Sequence, residues 1–173
     1  MLRIVLTGGP GAGKTATLKA LGDLGHTTGD DAARAIIRAR KQKGLSPRPD
    51  PQTFAQLVFE QEVAAYRAAG DTPVFLERGV VDAVSLLLGA GALDVRDVDR
   101  VLTDYRYQAV FIFPPWEEIY CTDEERDHTF EHAAKVYDAT LAFYRQIGYE
   151  PIEVPRSGVR QRANFILSDL DSV

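Results

Sequence analysis

Residues 8 to 15 read Gly-Gly-Pro-Gly-Ala-Gly-Lys-Thr, a complete G-x-x-x-x-G-K-[ST] pattern. The apolar run from Leu2 to Leu6 precedes this pattern, and a helix-prone stretch from Ala16 to Leu21 follows it. A strand, a glycine loop and a helix in this order form the context in which the pattern cradles phosphates with backbone N–H groups. The sequence therefore predicts an α/β fold with a phosphate-binding loop at its first strand-to-helix turn.

The last two residues of the loop have predicted roles in nucleotide binding. Lys14 is expected to reach the β- and γ-phosphates of a nucleotide, and the Thr15 hydroxyl is expected to hold Mg²⁺. The helix start adds the positive end of its dipole. An ordinary glycine-rich turn would need neither side chain. The predicted nucleotide-binding residues are Gly8, Gly9, Pro10, Gly11, Ala12, Gly13, Lys14, Thr15 and Ala16.

Composition limits the class of protein. With 173 residues, of which 45% are hydrophobic and 26% charged, the chain fits one globular domain, residues 1–173. The formal net charge of −5 argues against a nucleic-acid surface. The longest apolar stretch, Val84 to Leu93, is half a membrane span. We expect no nucleic-acid partner, no membrane span and a cytoplasmic location, which the single cysteine and the lack of a signal peptide support.

Short β-branched runs alternate with helical stretches along the chain, which predicts a parallel sheet of about five strands with helices on both faces. The predicted strands are residues 2–7, a short one ending near 27–28, and 73–76, 109–113 and 150–154. The predicted helices are 16–21, 31–41 with Thr28 as a possible cap, 51–69, 81–88, 95–102, 122–147 and 159–167. Residues 31–69 and 114–127 interrupt the alternation and could form an acceptor-binding excursion and a lid.

An acidic and a basic residue, Glu77 and Arg78, follow the buried strand that contains Phe75 and Leu76. Ligands of open α/β sheets gather at the carboxyl ends of strands. Glu77 is therefore a candidate Mg²⁺ ligand together with Thr15, and Arg78 is a candidate contact for a phosphate or an acceptor. The alternative is a solvated ion pair on a surface turn.

Two aspartates, Asp30 and Asp31, follow the second predicted strand near the same edge of the sheet. A carboxylate there could accept the proton of a substrate hydroxyl, and Arg34 and Arg38, on one helical face, could hold an anionic substrate. Alternatively, the aspartates only cap the helix that begins there. Both interpretations hold if one carboxylate caps the helix and the other reaches the pocket.

Residues 114–127 contain Arg126, which could close over the phosphates and stabilise the transferring charge. The alternative is a solvated first helical turn, because Thr122-Asp123-Glu124-Glu125 is a capping box. Arg156, Arg160 and Arg162 follow the last predicted strand. They would lie near the nucleotide base, or else would be solvated helix charges.

Taken together, these segments resemble one group of AAA-labelled P-loop domains. That group is similar to the ribosylnicotinamide kinase half of bifunctional NAD-biosynthesis regulators, and more distantly to nucleoside and nucleotide kinases. The resemblance covers nearly the whole chain. It rests on the loop and on Asp31-Ala-Ala-Arg34, Glu77-Arg78-Gly79, Pro114-Pro115-Trp116, Thr122 to Arg126, Gly148-Tyr149 and Val154-Pro155.

The resemblance implies a three-layer P-loop NTPase fold of the nucleotide-kinase type. It implies that Lys14, Asp31, Arg78 and Arg126 act in catalysis. Glu77-Arg78 resembles the Glu-Arg-Ser motif of deoxynucleoside kinases, although Gly79 stands where those enzymes have serine. Asp31 stands where the group often has glutamate. The candidate substrate-binding residues are Asp31, Arg34, Arg38, Glu77 and Arg78.

The function expected from the sequence is Mg²⁺-dependent phosphoryl transfer from ATP to a small hydroxyl-bearing acceptor. That acceptor could be a nucleoside, a nucleotide or another metabolite, including an antibiotic. The absence of an Asn-Lys-x-Asp motif favours ATP over GTP. The alternative is an NTPase switch that recruits a protein partner, with the apolar face of residues 51–69 as the interaction surface.

Overall fold

A parallel sheet forms the centre of the protein, which is described here from a computed structural model. The structure describes residues 2–70, 72–120 and 129–171. Within these residues the sheet has five strands in the order β2-β3-β1-β4-β5, all parallel. The strands are β1 (Arg3–Gly8), β2 (Thr27–Gly29), β3 (Val74–Glu77), β4 (Ala109–Phe113) and β5 (Ile152–Glu153). This architecture confirms the α/β P-loop fold expected from the sequence.

Seven helices connect these strands in the described part of the chain, and most lie within a few residues of their predicted bounds. They are α1 (Lys14–Asp23), α2 (Ala32–Gln42), α3 (Pro51–Ala68), α4 (Val80–Gly89), α5 (Val98–Leu102), α6 (Phe130–Gln146) and α7 (Val159–Leu170). None of these helices is long and apolar enough to cross a lipid bilayer.

The two faces of the sheet bury different side chains because successive residues of a strand point to opposite sides. On β1, Ile4 and Leu6 belong to the core that contains Leu18 of α1 and Ile166 of α7. Val5 belongs instead to the core on the opposite face, which includes residues of α4, α5 and α6. The sheet is therefore the middle layer of three.

The start of α2 differs from the expectation. Thr28 lies within β2 and does not cap the helix. The cap is Asp31, whose side chain accepts a hydrogen bond from the backbone N–H of Arg34. The strand extends through Gly29, so the chain leaves the sheet too late for Thr28 to reach the helix start.

The prediction of one unbroken helix from residue 122 is wrong. Thr129 has extended backbone angles, and its side chain accepts from the backbone N–H of His132, so α6 begins at Phe130. Thr129 is a second threonine suited to cap a helix, seven positions after the expected cap Thr122. The capping box at residues 122–125 lies outside the described residues and stays a prediction.

The buried stripe of α3 overlaps in part with the apolar face that the sequence predicts. The helical spacing of residues 51–69 predicts a face of Phe54, Leu57, Val58, Ala65 and Ala68. Val58 is buried, and Phe54 and Leu57 pack against its cluster, but Ala68 is exposed, and the other buried residues are Ala55 and Glu62. Val58 packs in a core cluster with Ala32 and Ile36 of α2 and Ala83 of α4. The stripe thus follows the contacts that α3 makes with both neighbouring helices.

Candidate active site at the carboxyl edge of the sheet

Strand register brings the predicted site residues to one edge of the sheet. Leu6 pairs with Glu77, and Gly29 of β2 pairs with Leu76. The carboxyl ends of β1, β2 and β3 therefore end at nearly the same height. The phosphate-binding loop begins at the last residue of β1, Asp31 follows β2, and Glu77 is the last residue of β3, so the fold places three sequence-distant segments together.

The glycines of the loop are required by its geometry. Gly11 and Gly13 have φ angles of 75° and 87°, in the left-handed region that disfavours residues with side chains. Gly8 has a φ of 121°, and a Cβ at this position would lie 2.5 Å from the carbonyl oxygen of Phe113. The loop can fold in this way only because these positions carry no side chain.

Two side chains lie against the loop: that of Tyr120, which sequence reasoning missed, and that of Arg162. The ring of Tyr120 lies next to Gly11, where a Cβ would collide with it. The buried guanidinium of Arg162 donates from Nη1 to the carbonyl oxygens of Ala12 (3.2 Å) and Gly13 (3.4 Å). Arg162 is therefore attached to the loop backbone and is not a solvated helix charge.

Lys14 is enclosed by its own loop. Its Nζ donates to the carbonyl oxygens of Gly9 (2.7 Å) and Gly8 (3.2 Å), and the residue is 5% exposed. The pKa of Lys14 is lowered from 10.5 to about 8, chiefly by burial and then by the nearby Arg78 guanidinium, against the opposing effect of nearby carboxylates. A ligand carrying negative charge would favour the protonated ammonium.

Thr15 and Glu77, the two predicted magnesium ligands, are in contact. The Thr15 hydroxyl donates to Oε1 of Glu77 at 2.9 Å, joining the start of α1 to the end of β3. Mg²⁺ prefers such oxygen ligands and is usually held by one or two protein groups together with phosphate oxygens. Among the described residues, no three His, Cys, Asp or Glu side chains form a complete metal site. The pair fits a metal that the nucleotide also binds.

Asp31 caps α2 and also lies beside Arg78. Its Oδ1 accepts from the backbone N–H of Arg34 at 3.0 Å and caps α2. Its Oδ2 lies 3.6 Å from Nε of Arg78, in an ion pair whose carboxylate is 12% exposed. Asp30 is exposed. One carboxylate thus caps the helix with one oxygen and faces the site with the other.

Arg78 lies at the centre of the charged groups. Its φ of 69° is left-handed, which is uncommon for a residue with a side chain and marks a strained turn after β3. Its Nη2 donates to the Gly8 carbonyl oxygen at 3.2 Å, and its Nη1 pairs with Asp82 at 3.2 Å. Burial opposes ionisation, but the carboxylates of Asp82 and Asp31 raise the pKa of Arg78 above its ordinary value.

Gly79 explains the departure from the Glu-Arg-Ser motif. A Cβ at this position would lie 2.5 Å from the hydroxyl oxygen of Tyr107, which itself accepts from the backbone N–H of Val80 at 2.9 Å. A serine side chain could not be accommodated without displacing this tyrosine. The position of the Tyr107 hydroxyl therefore requires glycine at residue 79 in this chain.

Glu62 is a buried ionisable residue near Asp31 and Asp82 that sequence reasoning missed. It lies on the buried stripe of α3, is 3% exposed, and accepts from the backbone N–H of Ala32, beside Asp31. Burial raises the pKa of Glu62 from 4.5 to about 8, and the charges of Asp82 and Asp31 add to this effect. An acid in an apolar helical stripe was the available signal.

The remaining predicted residues differ in their placement. Arg34 is half-buried at the start of α2, and Arg38 is exposed one turn later. Ala16 is exposed on α1, and Pro10 is half-buried in the loop. Arg126 lies outside the described residues, so its role stays a prediction.

Comparisons with solved structures agree on the fold. Deoxyadenosine kinase from M. mycoides with bound dATP is similar with a TM-score of 0.64 at 12% identity, over 99% of this chain and 100% of that chain. Shikimate kinase from Aquifex aeolicus has a TM-score of 0.57 at 17% identity, over 99% and 97%. Shikimate kinase from Acinetobacter baumannii in complex with shikimate has a TM-score of 0.57 at 18% identity, over 99% and 94%. At these identities the similarity shows a shared fold.

Comparisons at the level of sequence identify a family. The comparison with curated proteins finds no match. The profile of the AAA domain family matches residues 3–162, which is most of the chain and includes the loop, Asp31, Glu77 and Arg162. The chain therefore belongs to the AAA domain family.

Proposed function

We propose that this protein transfers the γ-phosphoryl group of ATP to a hydroxyl group of a small acceptor. The observation that carries the proposal is the position of Asp31: its Oδ2 faces Arg78 at the edge of the sheet where the phosphate-binding loop ends. A base and an arginine beside a phosphate loop are the groups that phosphoryl transfer to a hydroxyl needs.

Nucleotide binding is assigned to the loop from Gly8 to Thr15. Its backbone N–H groups and the start of α1 favour the negative charge of the phosphates. Lys14 would exchange the carbonyl oxygens of Gly8 and Gly9 for phosphate oxygens. Such an exchange replaces neutral acceptors by charged ones, which strengthens each hydrogen bond.

Thr15 and Glu77 would hold Mg²⁺, directly or through water. When bound, the metal neutralises charge on the β- and γ-phosphates. The proposal for these two residues is supported by their 2.9 Å hydrogen bond, which aims both oxygen atoms at the same place beside the loop.

The chemical step needs positioning and charge stabilisation more than covalent assistance from the protein. The oxygen of the acceptor hydroxyl would form a bond to the γ-phosphorus, and Asp31 Oδ2 would accept the proton of that hydroxyl. The bond between the γ-phosphorus and the bridging oxygen breaks, and ADP leaves. Arg78 and Lys14 would stabilise the charge on the transferring group, as would Arg126 if residues 114–127 act as a lid.

The acceptor class is proposed only as far as the fold neighbours support it. These neighbours include a deoxyadenosine kinase and shikimate kinases, which are named for two different hydroxyl-bearing compounds. A nucleoside, a nucleotide or another small metabolite fits the same chemistry. An NTPase switch has less support, because Ala55 and Val58 on the apolar side of α3 are buried within the chain.

The test follows the γ-phosphoryl group. Protein, Mg²⁺ and γ-labelled ATP are incubated with pooled nucleosides, nucleotides and hydroxyl metabolites, and labelled products are separated. We expect label in a new small molecule, formed only when its pool is present. Label found only in inorganic phosphate, at a rate that no pool changes, would refute a kinase and support an NTPase.

A further inference from the structure

A single carboxylate on α4, that of Asp82, joins four segments around the site. It accepts hydrogen bonds from the Thr7 hydroxyl (2.5 Å), the Arg78 Nη1 (3.2 Å), the Gly79 backbone N–H (3.1 Å) and the Tyr144 hydroxyl (2.7 Å). The side chain of Asp82 is 7% exposed. These donors come from the end of β1, the turn after β3, and α6.

Both oxygens of this carboxylate are occupied from different directions. Oδ1 accepts from Thr7 and Arg78, whereas Oδ2 accepts from Gly79 and Tyr144. Two donors on each oxygen leave the carboxylate no freedom to rotate without losing hydrogen bonds. The position of the Arg78 guanidinium is therefore set by a group that is itself fixed.

The consequence concerns how Arg78 meets Asp31. A guanidinium tends to pair with a carboxylate through two parallel hydrogen bonds. Here Nη1 is bound to Asp82 and Nη2 to the Gly8 carbonyl oxygen, so only Nε faces Asp31, at 3.6 Å from Oδ2. The distance is too long for a strong hydrogen bond. Asp31 thus keeps an oxygen that is close to a cation but not saturated by it.

We propose that Asp82, oriented by Tyr144, is a positioning residue that holds Arg78 against the phosphate-binding loop and away from two-point pairing with Asp31. Asp31 then remains able to accept the proton of the acceptor hydroxyl. This inference rests on the proposed phosphoryl transfer for its catalytic consequence, but the placement of Arg78 can be measured independently.

Two conservative substitutions test the arrangement. Asp82→Asn keeps the shape and the acceptor oxygen but removes the charge that attracts Arg78. The guanidinium then turns toward Asp31, which makes that carboxylate a poorer base. We expect acceptor-dependent turnover to fall about tenfold to hundredfold, the range typical of groups that orient functional residues. Tyr144→Phe removes one donor and should lower turnover several-fold in the same direction.

The same helix offers a matched control. Tyr137 lies two turns before Tyr144 on α6, and its hydroxyl donates to a carboxylate oxygen of Glu153 at 2.5 Å. Tyr137→Phe removes the same kind of hydrogen bond without touching Asp82. It should therefore leave turnover and nucleotide affinity at the wild-type values.

The measurements are kcat, KM for the acceptor, and ATP affinity from a binding titration. A fall in kcat in Asp82→Asn and Tyr144→Phe with ATP affinity within about twofold of wild type supports positioning. Equal losses in Tyr144→Phe and Tyr137→Phe would overturn the proposal. So would a loss of ATP affinity as large as the loss of kcat, because it would indicate general damage to the site.

A crystal structure of Asp82→Asn separates this inference from the proposed function. We expect the Arg78 to Asp31 distance to shorten to a two-point hydrogen-bonded pair. An unmoved Arg78 would overturn the positioning role even if the protein proves to be a kinase. If Arg78 moves but the wild-type protein phosphorylates no acceptor, the placement of Arg78 by Asp82 is supported and the proposed function fails.

Discussion

Replacing Glu62 by glutamine should change how the stability of the protein depends on pH. Glu62 is buried on α3, and its pKa is raised from 4.5 to about 8, first by burial and then by Asp82 and Asp31. Glutamine has nearly the same shape and retains an oxygen that can accept from the backbone N–H of Ala32. The substitution therefore removes the titration with little change in packing.

The direction in which stability changes with pH follows from the direction of the pKa shift of Glu62. A carboxyl whose pKa is higher in the folded state contributes stability that is present below pH 4.5 and is lost as the pH rises through about 8. Between pH 5 and pH 8 the loss is on the order of 3 to 4 kcal/mol for this group. Lys14 has a pKa lowered to about 8 and changes stability above that value, outside this window.

The assay is urea unfolding of the nucleotide-free protein at pH 5, 6, 7 and 8, followed by circular dichroism. We expect the free energy of unfolding of wild type, relative to Glu62→Gln, to fall steadily across this series. Glu60→Gln is the control, since Glu60 is an exposed acid on the same helix. A difference between wild type and Glu62→Gln that does not change with pH would refute the reasoning. So would a pH-dependent difference of the same size in Glu60→Gln.

Three further predictions concern the loop and its metal. Lys14→Ala should abolish nucleotide-dependent turnover with the fold intact. Lys19→Ala, on the exposed side of α1, is the control and should retain turnover. Unchanged turnover in Lys14→Ala would contradict the role of the loop in nucleotide binding. Glu77→Gln should raise the Mg²⁺ concentration needed for half-maximal activity about tenfold or more, and an unchanged Mg²⁺ titration would remove Glu77 from the metal site. Gly8→Ala should lower the free energy of unfolding by about 2 kcal/mol or more beyond the cost of Gly25→Ala. Gly25 also has a positive φ but has open space around it, whereas Gly8 lies against the Phe113 carbonyl oxygen. Equal costs of the two substitutions in urea unfolding would contradict the close approach of Gly8 to Phe113.

Sequence reasoning succeeded where the signal was local. The glycine loop, the apolar strands and the acid at the end of β3 are each read from a few adjacent residues, and the structure has them close to the expected places. The parallel direction of the strands also follows from the alternation of strands and helices. The sequence offered both Thr28 and the aspartates as caps of α2, and the structure has Asp31 in that position because β2 extends through Gly29.

The missed residues depend on tertiary contacts. Asp82 meets Thr7 across 75 positions of sequence and Tyr144 across 62, and no spacing rule connects them. Arg162 was named from the sequence, but its contact with the loop, 150 positions away, was not predicted. Only Glu62 left a signal, as a lone acid in a buried stripe. Such a position costs stability unless neighbouring groups compensate, and it could be searched for in related sequences.

The central claim is that Asp31 acts on the acceptor hydroxyl and not on ATP. It is tested most directly by comparing Asp31→Asn with wild type in acceptor-dependent label transfer at saturating ATP, with ATP affinity measured on the same samples. Asparagine still caps α2, so the fold is retained, and Asp30→Asn is the matched control at an exposed neighbour. We predict that transfer falls about 100-fold or more in Asp31→Asn, with ATP affinity within about twofold of wild type and Asp30→Asn unaffected. An equal loss of transfer and ATP affinity, or no loss of either, would contradict the claim and leave Asp31 as a helix cap.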